Sequence, residues 1–287
     1  MRTSEIFKNK TVLSLEIFPP QRTASVDIIY KTLDELQCLK PDFISVTYGA
    51  GGSATNTATL EIASAIKNHY GIESVAHLPC INLDKDEVLN MLEGFKQEGV
   101  ENILALRGDV NPSLIPKKDF RYASDLILFI KENGDFNIIG ACYPEGHNEC
   151  PSLVEDIRNL KIKVDAGTDQ LITQMFFDNS YFYSFRERAC IAGINVPIEA
   201  GIMPVVNKKQ IERMVSLCGV KLPKKFVTMM ERYENNPPAM RDAGIAYAVD
   251  QIVDLMAQDV DGIHLYTMNN PYIAQKIYTA ISTLLAA

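Results

Sequence analysis

The chain has 287 residues, 47% of them hydrophobic and 22% charged, a balance that supports a packed core and excludes both a short peptide and a wholly disordered segment. With 28 Lys plus Arg against 36 Asp plus Glu the net charge is −8, which opposes non-specific attraction to nucleic acid or to an anionic membrane surface. No apolar run reaches membrane-spanning length and the opening MRTSEIFKNK lacks the apolar centre of a secretory signal, so the expected location is the cytoplasm.

Short β-rich runs alternate with stretches of helical periodicity along the whole sequence. Strands are predicted at 11–18, 42–49, 74–80, 102–108, 137–144, 170–177, 197–204 and 262–268. Helices are predicted between them at 26–39, 56–70, 85–99, 123–134, 152–167, 180–193 and 208–219, several closed by a glycine. The segment 220–258 carries two helical patterns separated by NNPP, which places an extra helix before the last strand. Eight strands joined by long crossovers predict an α/β fold of the (β/α)8 TIM-barrel type, forming a single catalytic domain over 1–287. A doubly wound open sheet is the alternative. Its nucleotide fingerprint should follow the first strand, but that strand ends in FPPQR and the glycine cluster GAGGS (49–53) follows the second.

Two-residue alternation puts Leu13, Leu15 and Ile17 on one side of the first strand and Ser14 and Glu16 on the other. Glu16 is therefore expected to point into the barrel mouth, where partial desolvation would raise its pKa and suit it to general-acid work; a structural carboxylate paired with a neighbouring Arg or Lys is the equal alternative. Thr47, His77, Arg107, Asp109, Tyr143 and Gln174 fall at or near the ends of later strands, and in a barrel those ends converge on one face. GAGGS could present backbone N–H groups to an anion, although a flexible turn explains it as well. Six cysteines lie scattered without a CxxC pair, and reduced thiols are expected. Cys142, His147 and Cys150 form a C-x4-H-x2-C cluster that lacks a nearby fourth ligand, so buried or loop thiols are favoured over zinc.

Taken in order, SLEIFPP (14–20), SVTYGAGG (45–52), AHLPC (76–80), ALRGD (105–109), YASDL (122–126), YPEGH (143–147), LKIKVDAGTDQLITQMFFD (160–178), GIMPV (201–205) and HLYTMN (264–269) strongly resemble the methylenetetrahydrofolate reductase family over nearly the whole chain. The resemblance implies a barrel that holds FAD non-covalently on its C-terminal face. It also implies ping-pong reduction of 5,10-methylenetetrahydrofolate to 5-methyltetrahydrofolate by NADH or NADPH, in one-carbon metabolism and methionine biosynthesis. Glu16 would be the general acid that protonates folate N10, and Asp109 the catalytic carboxylate near flavin and pterin. Gln174, Gln210, Met214 and Asn270 fall at substrate-binding positions. Thr47, Tyr48, Ala50, His77, Arg107, Gly108, Asp109, Tyr122, Ala123, Tyr143, His147, Asp156, Asn159 and Lys163 match cofactor-binding positions, with Arg107 and Lys163 as charge partners of the diphosphate. No metal is implied.

The chain departs from the family pattern in three places. Met214 stands where Phe is common, Asn270 where an Arg often reaches the folate glutamate, and Ile162 where the flavin-binding helix often carries a base. Lys208, Lys209 or KLPKK (221–225) could restore charge for a polyglutamate tail, against the plainer reading of a solvated basic face. A homo-oligomer without an S-adenosylmethionine-regulated domain is expected. The alternative function is a same-fold reductase subunit that takes electrons from a partner flavoprotein or ferredoxin. A barrel aldolase is disfavoured because no strand end offers a clear Schiff-base lysine.

Overall fold

The computed structural model describes residues 1–20, 27–48, 57–109 and 116–286, apart from the side chains of Gln210, Arg213 and Leu217. Eight strands run β1 Val12–Ile17, β2 Phe43–Val46, β3 Glu73–Pro79, β4 Asn102–Leu106, β5 Asn137–Cys142, β6 Gln170–Thr173, β7 Ile198–Ile202 and β8 Gly262–Tyr266. They close in sequence order into a barrel in which every neighbouring pair is parallel and β8 returns to β1. This is the (β/α)8 architecture.

The helices are α1 Asp27–Leu36, α2 Ala58–Asn68, α3 Lys85–Gln97, α4 Ala123–Asn133, α5 Leu153–Asp165, α6 Asn179–Ile191, α7 Lys208–Cys218, α8 Lys224–Tyr233, α9 Pro237–Ala257 and α10 Pro271–Leu285. Local sequence starts several of them. Asp84 and Glu87 form a reciprocal capping box on α3, while Asn236 followed by two prolines opens α9, so NNPP is a helix start. The extra helices expected before the last strand are α8 and α9. Among the described residues, no helix is long and apolar enough to cross a membrane.

The alternation read from β1 is visible in the packing. Leu13, Leu15 and Ile17 join the layer between strands and helices, where burying each side chain contributes roughly 1.5–3 kcal/mol. Val12, Phe43, Val75, Leu104, Ile139 and Ile172 fill the barrel interior. Ile6 and Phe7, from an N-terminal 3-10 helix at Thr3–Lys8, pack against that interior cluster. Thr3 is fully buried there: its hydroxyl donates to Gln170 Oε1 at 2.8 Å and accepts from Asn137 Nδ2 at 3.0 Å, and its N–H donates to Asn102 Oδ1 at 2.9 Å. This polar plug was not anticipated from the sequence.

The predicted strands are too long at their C-terminal ends. β4 stops at Leu106 and β6 at Thr173, so Arg107, Asp109 and Gln174 lie on the rim just beyond the ladder. The chain leaves the sheet there to reach the next helix, although Gln174 N–H still donates to the Cys142 carbonyl at 2.7 Å. The apolar residues Met175, Phe176 and Phe177, which extended the predicted sixth strand, are buried in the packing outside it.

Candidate active site

Glu16 reaches the mouth with its side chain about 19% exposed. Its backbone carbonyl accepts from Thr267 Oγ1 at 2.6 Å, which locks the β1 exit to the segment after β8. Its carboxylate lies between two imidazoles: His77 Nε2 and His264 Nε2 each stand 3.5 Å from Oε2. The expectation of a raised Glu16 pKa is corrected by these neighbours. Burial does push it upward, but the close polar approach of His264, followed by the charges of His77 and His264, outweighs burial and lowers it overall. Burial lowers His77 to about 4, so that ring is neutral near pH 7. Behind His264, Nδ1 lies 2.7 Å from Ser14 Oγ, which also stands 2.7 Å from Glu199 Oε1.

A cavity of about 500 Å³ opens between the ends of β4 and β5 and the helices α4 and α5. Arg107, Tyr122, Ala123, Tyr143, His147, Asp156, Asn159 and Lys163 all line it. Arg107 is held by Glu149 through paired contacts at 2.5 and 2.8 Å. Lys163 donates to the Ala141 carbonyl at 2.7 Å, and burial lowers its pKa. The Tyr143 and His147 rings meet edge to face at 4.7 Å, and burial pushes the Tyr143 hydroxyl far up. Asp156, also raised by burial, accepts from His147 N–H at 3.3 Å. Gly108 adopts φ +87° with Pro79 Cβ only 3.0 Å from where its own Cβ would stand, so the turn into Asp109 requires glycine.

A second cavity, of about 240 Å³, lies on the side of β7 and β8. Phe18, Met203, Ile211, Met214, Tyr266 and Met268 give it apolar walls, and Asn270 sits at its edge. The phenol of Tyr266 donates to the Thr173 carbonyl at 2.7 Å, which fixes the ring beside the mouth.

Comparison with known proteins gives this constellation a lineage. The family profile described as Methylenetetrahydrofolate reductase matches residues 2–282. The chain belongs to the methylenetetrahydrofolate reductase family. It is 38% identical over 272 residues to the 5,10-methylenetetrahydrofolate reductase of Escherichia coli strain K12, covering 95% of this chain and 90% of that one. The enzyme of the same name from Pectobacterium carotovorum is 37% identical over 265 residues, covering 92% and 88%. Among solved structures, a Clostridium thermocellum protein that binds two copies of 5-methyl-5,6,7,8-tetrahydrofolic acid aligns over all of both chains with a TM-score of 0.68. At 14% identity that likeness concerns the fold alone. Family membership makes the protein an oxidoreductase of folate one-carbon metabolism.

Most of the described positions assigned by resemblance to this reductase family lie at the strand ends or in the helices that follow them. Thr47 and Tyr48 follow β2, and Thr47 N–H donates to the Ile17 carbonyl at 3.0 Å, next to Glu16. Asp109 is exposed after β4, and its charge is felt at Arg107, Tyr143 and Cys218. Gln174 is half-buried after β6, where its Oε1 accepts from Met175 N–H at 2.9 Å. Asn270 caps α10, accepting from Ile273 N–H at 3.4 Å, so this side chain also has a structural task. Ala50, with the rest of GAGGS, and the Gln210 side chain lie outside the described residues. Ile162 lies exposed in the wall of the larger cavity. Lys208 pairs with Glu234, and Lys225 with Asp250, each at 3.0 Å.

Two features escaped the sequence reading. His77, assigned to the cofactor, also touches Glu16; His264 had no assigned role although HLYTMN was noted. The available signal was the alternation of β8, which turns Gly262, His264 and Tyr266 to the same side, combined with closure onto β1. Cys142 is a buried thiol, and Cys150 Sγ contacts the Ser152 carbonyl at 3.5 Å.

Proposed function

We propose that this protein reduces 5,10-methylenetetrahydrofolate to 5-methyltetrahydrofolate with NADH or NADPH, using non-covalently held FAD in two alternating half-reactions. The observation that carries this reading is Glu16 at the mouth, set between imidazoles, on a barrel whose rim also holds one cation-bearing and one apolar cavity. The lining of the larger cavity supports this reading for the diphosphate side of a flavin dinucleotide. Lys163 and Arg107 supply positive charge for a diphosphate, Tyr143 and His147 supply flat surfaces, and Asn159 and Asp156 supply polar partners for hydroxyl groups. Bound there, FAD would accept hydride from the nicotinamide and deliver it to the folate methylene carbon.

The protein's own residues then manage the proton and the charge. Glu16 gives a proton to folate N10, which opens the five-membered ring and leaves a cationic methylene at N5. The Asp109 carboxyl, just beyond β4, favours that cation, and Gln174 orients the pterin. Met214 offers a polarizable apolar contact in the smaller cavity, and Asn270 lies at its edge. The product would feed methyl transfer toward methionine in the cytoplasm.

An anaerobic half-reaction experiment tests the proposal. Protein loaded with FAD should lose its yellow band with NADH or NADPH and recover it with methylenetetrahydrofolate. In Glu16→Gln, recovery should slow by at least about 100-fold while bleaching survives, since the proton is needed only in the second half. Equal slowing of both halves would refute the role of Glu16. Failure of the protein to take up FAD would refute the reading as a whole.

A further inference from the structure

The lowered pKa of Glu16 raises a question of supply: a carboxylate flanked by His77 and His264 is a poor store for the proton that ring opening consumes. Folate bound as proposed would also cover the mouth through which solvent recharges it. The barrel interior contains another carboxyl. Glu199 on β7 is 0% exposed, accepts from Ser14 Oγ at 2.7 Å through Oε1, and has no hydrogen-bond partner on Oε2 among the described residues.

Register explains how it fits. Ser14 pairs with His264 across the β1–β8 seam, Glu16 pairs with Tyr266 one inward step toward the mouth, and Glu199 pairs with Gly262 one inward step below. A Cβ on Gly262 would stand 2.8 Å from Glu199 Cγ and 3.0 Å from the Val12 carbonyl, so glycine makes the space for this side chain. The four groups form a staircase from the interior to the mouth: Glu199, Ser14, His264, Glu16.

Resting on the proposed reaction, we infer that Glu199 is a positioning residue that stores the proton and returns it to Glu16 through Ser14 and His264. In the charged-reserve arrangement Glu199 Oε–H donates to Ser14 Oγ, Ser14 Oγ–H donates to His264 Nδ1, and His264 Nε2–H faces the Glu16 carboxylate. Three shifts, two across the 2.7 Å hydrogen bonds and one across the 3.5 Å gap from His264 Nε2, which has no hydrogen-bond partner among the described residues, to Glu16 Oε2, leave Glu199 as carboxylate, His264 protonated on Nδ1 and Glu16 protonated. One proton moves in net, and nothing is oxidised or reduced. The same steps run backwards when solvent re-enters and protonates Glu16.

The electrostatics agree. Burial first, and then the charges of Asp42 and Asp261, raise the Glu199 carboxyl to about 8 against the opposing Ser14 hydrogen bond, so it holds its proton near pH 7. The other titratable groups facing the chain are Glu16 and His77 at its outer end, His264 within it, and Tyr266, whose ring packs edge-on against His264 and whose hydroxyl is pushed well up by burial. His77, with its pKa near 4, does not compete for the proton at neutral pH.

The test combines infrared spectroscopy with the two half-reactions in wild type, Glu199→Gln and Glu199→Asp. Wild-type protein at pH 7 should show the carbonyl stretch of a protonated carboxylic acid that titrates away near pH 8 and is missing from Glu199→Gln. Bleaching by nucleotide should be unchanged in Glu199→Gln, while folate-dependent recovery slows by at least about ten-fold and loses its pH dependence near 8. Glu199→Asp should recover part of the rate. A wild-type spectrum without that band, a Glu199→Gln variant that recovers at the wild-type rate, or equal slowing of both halves would overturn the inference while leaving the reductase reading intact. Wild-type protein that never recovers with methylenetetrahydrofolate would overturn both.

Discussion

Glu149→Gln should tighten FAD binding, because in the structure the guanidinium assigned to the diphosphate is already engaged by a carboxylate. Arg107 faces Glu149 through contacts of 2.5 and 2.8 Å, with 23% of the Arg107 side chain and 59% of the Glu149 side chain exposed. A pair this open contributes about 0.5–1 kcal/mol, and a diphosphate entering the cavity must displace it. Removing the competitor should therefore lower the Kd for FAD by roughly two- to five-fold at low salt. The loss of a negative charge beside an anionic ligand acts in the same direction. Titrating apo-protein into FAD and following flavin fluorescence would measure the shift, and raising the salt concentration should bring the two proteins together as the pair is screened. Glu155→Gln is the control: that carboxylate also lines the cavity but faces Arg158 at 3.4 Å. Equal or weaker FAD binding by Glu149→Gln at low salt would refute the assignment of Arg107.

Two further outcomes concern stability. Thr3→Val keeps the volume of the N-terminal plug but strips partners from Gln170 and Asn137, two fully buried amides, so urea denaturation should report a loss of about 1–3 kcal/mol; no loss would mean that the plug is not needed. His77 titrates near 4 when folded and near 6.5 when unfolded, so the unfolded chain takes up a proton first as pH falls. Stability should be fully retained above pH 6.5 and then decline by up to about 3 kcal/mol as pH falls through 4. Denaturation of His77→Gln should show a shallower decline over that interval, and an identical decline would contradict the buried neutral ring.

The barrel was legible because its information is local. Alternation in β1 separated Ser14 and Glu16 from Leu13, Leu15 and Ile17, and the strand and helix periods repeated in order through β8. The environment of Glu16 was not legible in the same way. His77 and His264 meet it from positions 61 and 248 residues away in the chain, through a closure whose register no local pattern encodes. The error in the direction of its pKa follows directly, since burial was foreseeable but the two imidazoles were not. Glu199 gave no local signal at all: one acidic residue in an apolar strand resembles an exposed edge position until Gly262 is placed opposite it. Strand ends were overestimated wherever apolar residues continued past the ladder, as at Met175–Phe177.

The seam between the first and last strands also sets an order of events during synthesis. Until residues 262–266 have left the ribosome, β1 presents an unpaired edge, Ser14 lacks its imidazole neighbour, and the Glu16 carbonyl lacks Thr267. Every nascent intermediate consequently lacks the β1–β8 seam and the contacts it brings to Ser14 and Glu16. The barrel closes only when the final strand pairs with the first.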